Sequence, residues 1–264
     1  MTIATPFQKR WQAAGYTEQT PIQTAVYQPL KADEDVVGLA PTGSGKTLAF
    51  GLPLLEKMVP GDGLQLLILA PSQELAIQTR DVLTPYAKDI GITVQGVIGS
   101  ANVKRQLDRL KEKPEVIVAT AGRLLELIQS RKLKLDGLQT LVVDEADEML
   151  NMGFVEDIET ILEKVDDARQ TILFSATMPA GIKKIAQNYM HDNFEHVAVL
   201  SKQTTATSVK QFYYEVKQKD RFEAMCRLID VANVQTGIIF CRTKRSVDEV
   251  TEQMQQANYN VEAM

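Results

Sequence analysis

The sequence predicts an α/β fold: a mostly parallel sheet with helices on both faces, followed by an incomplete second unit of the same kind. Three observations carry this. Short runs rich in Val, Ile and Leu recur at 36–40, 64–70, 92–99, 115–120, 140–144, 171–175 and 196–200. They are apolar at successive positions, as strands covered above and below require. A helix-forming run at 48–57 and amphipathic stretches at 72–88, 103–111, 123–131 and 154–165 lie between them, and such repeated strand–helix units build parallel sheets. After a polar stretch, Ser-Lys-Gln-Thr-Thr-Ala-Thr-Ser at 201–208, the alternation begins again.

Taken in order, residues 1–35 form a mixed preface in which Phe7, Trp11, Gly15 and Tyr16 precede Thr20-Pro21-Ile22-Gln23. The strand–helix series then fills a first domain at 1–200. The segment 201–208 has no apolar periodicity and reads as a linker. Beyond it, 211–216 and 237–241 read as strands and 221–231 and 246–256 as helices, so that 209–264 is the start of a second domain, too short to repeat the first. Met149, Met152 and Phe154 sit at helical spacing and are expected in the core. His191 and His196 have no nearby Cys or paired His and are expected at the surface.

Composition bounds the function. The chain has 264 residues, 44% of them apolar and 24% charged, as in globular proteins. No apolar run approaches the ~20 residues of a membrane span, and residues 1–10 carry no export pattern, which makes the cytoplasm the expected location. Two cysteines, Cys226 and Cys241, build neither a disulfide framework nor a four-ligand zinc site. A net charge of −5 argues against coating nucleic acid non-specifically, while leaving room for a groove that grips a few phosphates.

The chemistry is concentrated in two stretches. Ala40-Pro41-Thr42-Gly43-Ser44-Gly45-Lys46-Thr47 follows an apolar run and precedes a helical one. Strand, glycine-rich turn and helix is the setting in which backbone N–H groups wrap a phosphate chain. Gly43 and Gly45 supply positive φ, Lys46 the counter-charge for β- and γ-phosphates, and Thr47 a hydroxyl for Mg²⁺. Ala40 stands where the usual pattern has its first glycine. Asp144-Glu145-Ala146-Asp147 follows the run Leu141-Val142-Val143; Asp144 at a strand end is placed to hold Mg²⁺, and Glu145 to orient and deprotonate an attacking water.

With these residues in view the chain resembles the amino-terminal part of a DEAD-box RNA helicase, a superfamily 2 ATPase whose name is spelled at 144–147. The likeness is an ordered series over the whole chain. Gly15-Tyr16 through Gln23 resembles the family's Q motif, 40–47 its phosphate loop, 71–78 motif Ia and Thr120-Ala121-Gly122-Arg123 motif Ib. Gly99-Ser100 stands where the family has a glycine doublet, Ser175-Ala176-Thr177 resembles motif III, and 238–244 motif IV.

The resemblance implies RecA-like domains, ATP and Mg²⁺ as the nucleotide and metal, and RNA as partner. It assigns ATP binding to Tyr16, Gln23, Thr42, Gly43, Ser44, Gly45, Lys46 and Thr47, with Gln23 reading the adenine edge and Tyr16 stacking on its face. Lys46, Asp144 and Glu145 become the catalytic set, and Thr47 and Asp144 the metal ligands. Asp147, Ser175 and Thr177 become a relay between nucleotide and RNA. Pro71, Gln73, Gly99, Ser100, Thr120 and Arg123 become the RNA surface, where helix N-termini and loop N–H groups grip phosphates without reading bases.

Three departures stand out: Ser72-Gln73 replaces the usual Thr-Arg, Ala121 replaces a proline, and the family's far-upstream aromatic has no counterpart, Phe7 being too close. No arginine-rich segment follows motif IV, so this piece is expected to bind ATP, hydrolyse it very slowly and not unwind RNA by itself. The longer protein is expected to separate short duplexes using ATP; an ATP-gated RNA clamp that assembles partners is the alternative.

Overall fold

The computed structural model describes residues 3–99, 102–199, 210 and 212–264. It divides into two compact units, Met1–Lys202 and Gln203–Met264. The first opens with two helices, α1 (Thr5–Ala13) and α2 (Pro21–Lys31), within the stretch that sequence reading leaves as a preface. The signal for α2 was present. Thr20 caps it, Pro21 occupies the first turn, and the Gln23 side chain returns to the Thr20 N–H in a capping box.

From there strands and helices alternate: β1 (Val36–Leu39), α3 (Lys46–Leu55), β2 (Leu66–Leu69), α4 (Gln73–Asp89), β3 (Val94–Val97), α5 (Val103–Leu110), β4 (Val116–Ala119) and α6 (Ala121–Gln129). Then come β5 (Thr140–Val143), α7 (Ala146–Asn151), α8 (Val155–Leu162), β6 (Gln170–Ser175), α9 (Ala180–Tyr189) and β7 (Glu195–Ala198). All seven expected apolar runs of this unit form strands, in the order β3-β4-β2-β5-β6-β1-β7. Every described pairing is parallel, so all strands present their carboxyl ends to one edge.

The reason the strands are apolar at successive positions is visible in the two cores. Val36, Leu66, Ile68, Val116, Val142 and Phe174 enter one core, with Phe7, Leu30 and Phe50 from the helices. Val37, Leu67, Leu69, Ile117, Leu141 and Leu173 enter the other, with Leu124, Ile158 and Ile182. Alternate side chains of each strand thus bury on opposite faces. Gly38 in β1 is required by packing, since a Cβ there would lie 2.5 Å from the Phe174 ring. The edge strand β7 departs from the rule: three of its four residues are exposed. Met149 is buried as expected, but Met152, at the carboxyl end of α7, is 49% exposed.

The second unit contains a 3₁₀ turn (Gln218–Asp220), α10 (Arg221–Val231) and α11 (Lys244–Gln256). Both expected helices form; the expected strands do not. Residues 212–216 and 237–241 are unpaired, because no neighbouring strand among the described residues of this unit supplies a ladder. Phe212, Tyr213 and Phe240 are 77%, 86% and 91% exposed as a result. The proposed linker at 201–208 lies outside the described residues. Cys226 and Cys241 are free thiols. Among the described residues no helix is long and apolar enough to cross a membrane.

Candidate functional site

The carboxyl edge of the sheet carries two adjoining groups of residues. Loops after β1 and β5, with β6 between those strands, gather one; loops after β2, β3 and β4 gather the other. Carboxyl ends of parallel strands are where α/β folds bind ligands.

The first group lines a cleft of about 400 Å³ that includes Tyr16, Thr20, Gln23, Thr42, Gly43, Gly45, Lys46, Thr47, Asp144 and Glu145. The loop owes its shape to Gly43 and Gly45, at φ 78° and 88°, a region costly to residues with a Cβ. Ala40 is not among the positive-φ residues. It is buried at the end of β1, its N–H donating to the Ser175 carbonyl at 3.0 Å, so a glycine has no conformational role at that position here. Gly45 caps α3 without a side-chain hydrogen bond, leaving the first-turn N–H groups of a helix amino end toward the cleft. Ser44 does not line the cleft; its Oγ is buried without a protein partner.

Gln23 joins the loop to the chain's beginning. Its Oε1 accepts from the Thr20 N–H at 2.9 Å and its Nε2 donates to the Gly45 carbonyl at 3.1 Å. An amide has one further donor and one further acceptor site, which are the groups an adenine edge needs. Tyr16 is 46% exposed, its ring 4.8 Å from that of buried Trp11. Trp11, Glu18, Leu75, Gln78, Thr79 and Val82 also line the cleft, and sequence reading missed them. The last four recur at i, i+3, i+4 and i+7 along α4; that stripe was legible as a helix face but not as a cleft wall.

At the cleft's other end Lys46, 5% exposed, donates from Nζ to Glu145 Oε2 at 2.9 Å and to the Ala40 carbonyl at 3.2 Å. Glu145 takes φ 51° as the residue ahead of α7, a conformation that costs a non-glycine residue of order 1–3 kcal/mol and turns its side chain away from the helix. Asp144 is buried, and burial, then the neighbouring Glu145 charge, against the opposing pull of Lys46, pushes its carboxyl up to about 7. Its Oδ1 accepts from the Glu145 N–H.

Among the described residues no cluster of three or more His, Cys, Asp or Glu is arranged to hold a metal. One buried carboxylate, Asp144, lining the same cleft as Thr47, fits Mg²⁺ that arrives on substrate phosphates and keeps several waters, which is that ion's preferred mode.

The last acidic residue of the segment belongs to a separate network. Asp147 Oδ2 accepts from the Thr177 N–H at 2.9 Å and the Thr177 hydroxyl at 2.8 Å, while the Asp147 N–H donates to Ser175 Oγ at 3.2 Å. Burial pulls the Asp147 carboxyl upward, yet these hydrogen bonds outweigh it and hold the group below the usual carboxylate range.

The second group comes together as the sequence order alone would not show. Arg123 donates through Nη2 to the Gly99 carbonyl at 2.7 Å and pairs through Nε with Glu126 at 3.0 Å. A Cβ on Gly99 would lie 3.2 Å from Gln73 Nε2. Gln73 opens α4 behind the Ser72 cap, and Thr120 precedes α6 without making a side-chain cap. Pro71 is buried at the end of β2. Ser100 lies outside the described residues.

An all-parallel sheet with a glycine-rich loop after one strand and a carboxylate pair after another, meeting in one cleft, defines the phosphate-loop class of nucleotide-binding proteins. Within that class, the family model for DEAD/DEAH box helicases matches residues 20–185, and the chain belongs to this family. It is 46% identical over 251 residues to the DEAD-box ATP-dependent RNA helicase CshA of Bacillus licheniformis, covering 95% of this chain and 51% of that one. It is 46% identical to the ATP-dependent RNA helicase CshA of Limosilactobacillus reuteri, over 94% of this chain and 50% of that one. The chain spans about half the length of these relatives. A crystal structure of a DEAD box protein from the hyperthermophile Methanococcus jannaschii superposes with a TM-score of 0.71 at 32% identity, over 100% of this chain and 71% of that one.

Proposed function

We propose that this chain supplies the nucleotide-binding part and an RNA-gripping surface of an ATP-dependent RNA helicase that acts in the cytoplasm. In this reading residues 1–200 are the first RecA-like domain, 201–208 the linker and 209–264 the start of a second. The observation that carries the proposal is the meeting of Lys46, Thr47, Asp144 and Glu145 in one cleft with Gln23 hydrogen-bonded to the loop.

The geometry and the family resemblance together support a division of roles. Lys46 exchanges Glu145 for β- and γ-phosphate oxygens, which frees the Glu145 carboxylate to orient and deprotonate water. Asp144 and Thr47 would hold Mg²⁺, which would neutralise charge on the phosphates. The remaining donor and acceptor of Gln23 select adenine, with Tyr16 on its face and Trp11 behind. Thr42, Gly43 and Gly45, which line the cleft, offer backbone N–H groups to phosphate, and Ser44, whose N–H donates to the Pro41 carbonyl, would join them once that bond is exchanged for phosphate. Asp147, Ser175 and Thr177 tie the helix that follows Glu145 to the end of β6, and so couple the nucleotide cleft to the neighbouring loops. Pro71, Gln73, Gly99, Ser100, Thr120 and Arg123 form the surface that holds the RNA backbone.

No arginine lines the cleft among its described residues. An arginine on the transferring phosphate is worth about 10³–10⁵ in rate, so the 264-residue chain binds ATP and turns it over slowly. Titration with a fluorescent ATP analogue, with and without Mg²⁺, tests the site: saturable, Mg²⁺-dependent binding is expected, and its absence refutes the reading. Strand displacement on a short RNA duplex, by a protein of the relatives' full length carrying this chain, tests the activity. Separation dependent on ATP is expected, whereas ATP-dependent retention without separation would identify a clamp.

A further inference from the structure

A groove of about 870 Å³ lies at the opposite edge of the sheet, where the segments leading into β2, β4 and β5 meet the end of α5. Its floor is apolar: Leu107, Leu110, Ile117 and Leu133 contribute to it. The three leucines are half-buried and continue one of the two cores. Its rim is cationic, formed by Lys111, Lys113, Lys132 and Lys134 against the single acidic residue Asp136. The segments 104–113 and 131–136 that build it hold eight basic and three acidic residues in a chain whose net charge is −5. Positive charge is therefore concentrated here while the remainder of the chain is acidic.

The rim has little internal compensation. Lys111 pairs with Asp108 at 2.8 Å and Lys134 approaches Asp136 at 3.9 Å, but both lysines remain 77% and 79% exposed. Exposed pairs of this kind contribute little, and they yield readily to a better partner.

We propose that this groove docks an acidic amphipathic helix of a partner protein. Its apolar residues, at i, i+4 and i+7, would rest on the leucine floor, and its flanking carboxylates would meet the lysine rim. The volume is in the range that accepts several side chains. Single-stranded RNA is the other ligand a basic rim attracts, but it uses aromatic platforms for its bases. The groove lining contains no aromatic residue, and an apolar floor offers phosphates nothing. Because the groove and the loop at 40–47 lie at opposite ends of parallel strands, an occupied groove leaves the nucleotide cleft open.

The test uses the intact chain. A random peptide display library is selected on the native protein and counter-selected on the Lys111→Glu/Lys134→Glu variant, whose altered side chains are exposed and whose fold is checked by circular dichroism. The expected peptides carry acidic residues flanking a leucine-type stripe. They bind the native chain about tenfold more tightly than the variant and shift the methyl resonances of Leu107, Leu110 and Leu133 in NMR spectra. ATP-analogue affinity is unchanged in the variant. Selected peptides that are basic or uncharged, that bind both proteins equally or that shift other methyls would overturn the proposal. So would oligouridylate shifting these same methyls with the same sensitivity to charge reversal, which would make the groove an RNA site. A dimer of the native chain that the variant abolishes would likewise overturn it, in favour of self-association.

Discussion

Lys46 Nζ and Glu145 Oε2 lie 2.9 Å apart, although 99 residues separate them in sequence. The pair joins the loop after β1 to the turn after β5 and neutralises two charges that are both largely buried. In the proposed reading a nucleotide breaks this pair, since Lys46 cannot hold a triphosphate and a carboxylate equally well.

Replacing Glu145 by Gln removes the competitor without removing the lysine. ATP-analogue affinity is expected to be retained or raised, and single-turnover hydrolysis to fall by about 10²–10⁴-fold. Lys46→Ala should abolish measurable binding. A Gln variant that loses affinity together with hydrolysis would refute this division of roles.

Gly45 is under two constraints: φ of 88°, and Gln23 Nε2 only 2.6 Å from where a Cβ would stand. Gly45→Ala should therefore cost about 1–2 kcal/mol in backbone strain and push the Gln23 amide off the loop. The checks are urea denaturation and the ratio of ATP to GTP affinity, which should fall toward one. Preserved adenine preference would separate Gln23 from base selection.

The Asp147 network predicts a pH dependence of stability. Burial pushes its carboxyl upward, but the hydrogen bonds from Thr177 and Ser175 outweigh this and hold it below the ordinary aspartate value of 3.8 in the folded protein. The contribution is thus present above that value and is lost as pH falls through the lower, folded one. Denaturant midpoints from neutral pH down through the carboxylate range should converge for native protein and Asp147→Asn at the acid end. Thr177→Val should cost about 1 kcal/mol at neutral pH. A constant gap between native protein and Asn variant would show that the charge is not what the network holds.

Gln73 stands where the resemblance to motif Ia leads to the expectation of an arginine, next to Gly99, whose carbonyl accepts from Arg123, at the ends of β2, β3 and β4. Gln73→Arg should tighten RNA binding and steepen the logarithmic salt dependence by about one; Arg123→Ala should weaken binding similarly across RNA sequences and flatten that slope. Unchanged slopes would move the RNA surface elsewhere.

Much of this was legible in the chain. Runs apolar at successive positions located the strands of the first unit, because a strand buried on both faces leaves no polar side to disguise it; the edge strand β7 was found by its composition although three of its four residues are exposed. The loop glycines and the turn after β5 were equally visible, since positive φ and a carboxylate at a strand end demand particular residues. Legibility failed where partners decide the outcome. The runs at 211–216 and 237–241 have strand composition but no ladder among the described residues. Met152 has core chemistry but sits past the buried face of a short helix.

The sequence by itself determined the fold class, the phosphate loop and its carboxylates, because each is written in local chemistry: periodicity, glycine and charge. Only the tertiary structure decided which residues meet. The order β3-β4-β2-β5-β6-β1-β7 sets the loops after β1 and β5 on either side of β6 and gathers those after β2, β3 and β4 beside them. It also turns one stripe of α4 into a cleft wall and draws distant lysines around an apolar groove at the far edge. Strand order is chosen by the burial of two whole cores, a sum over many contacts that no local stretch of chain encodes.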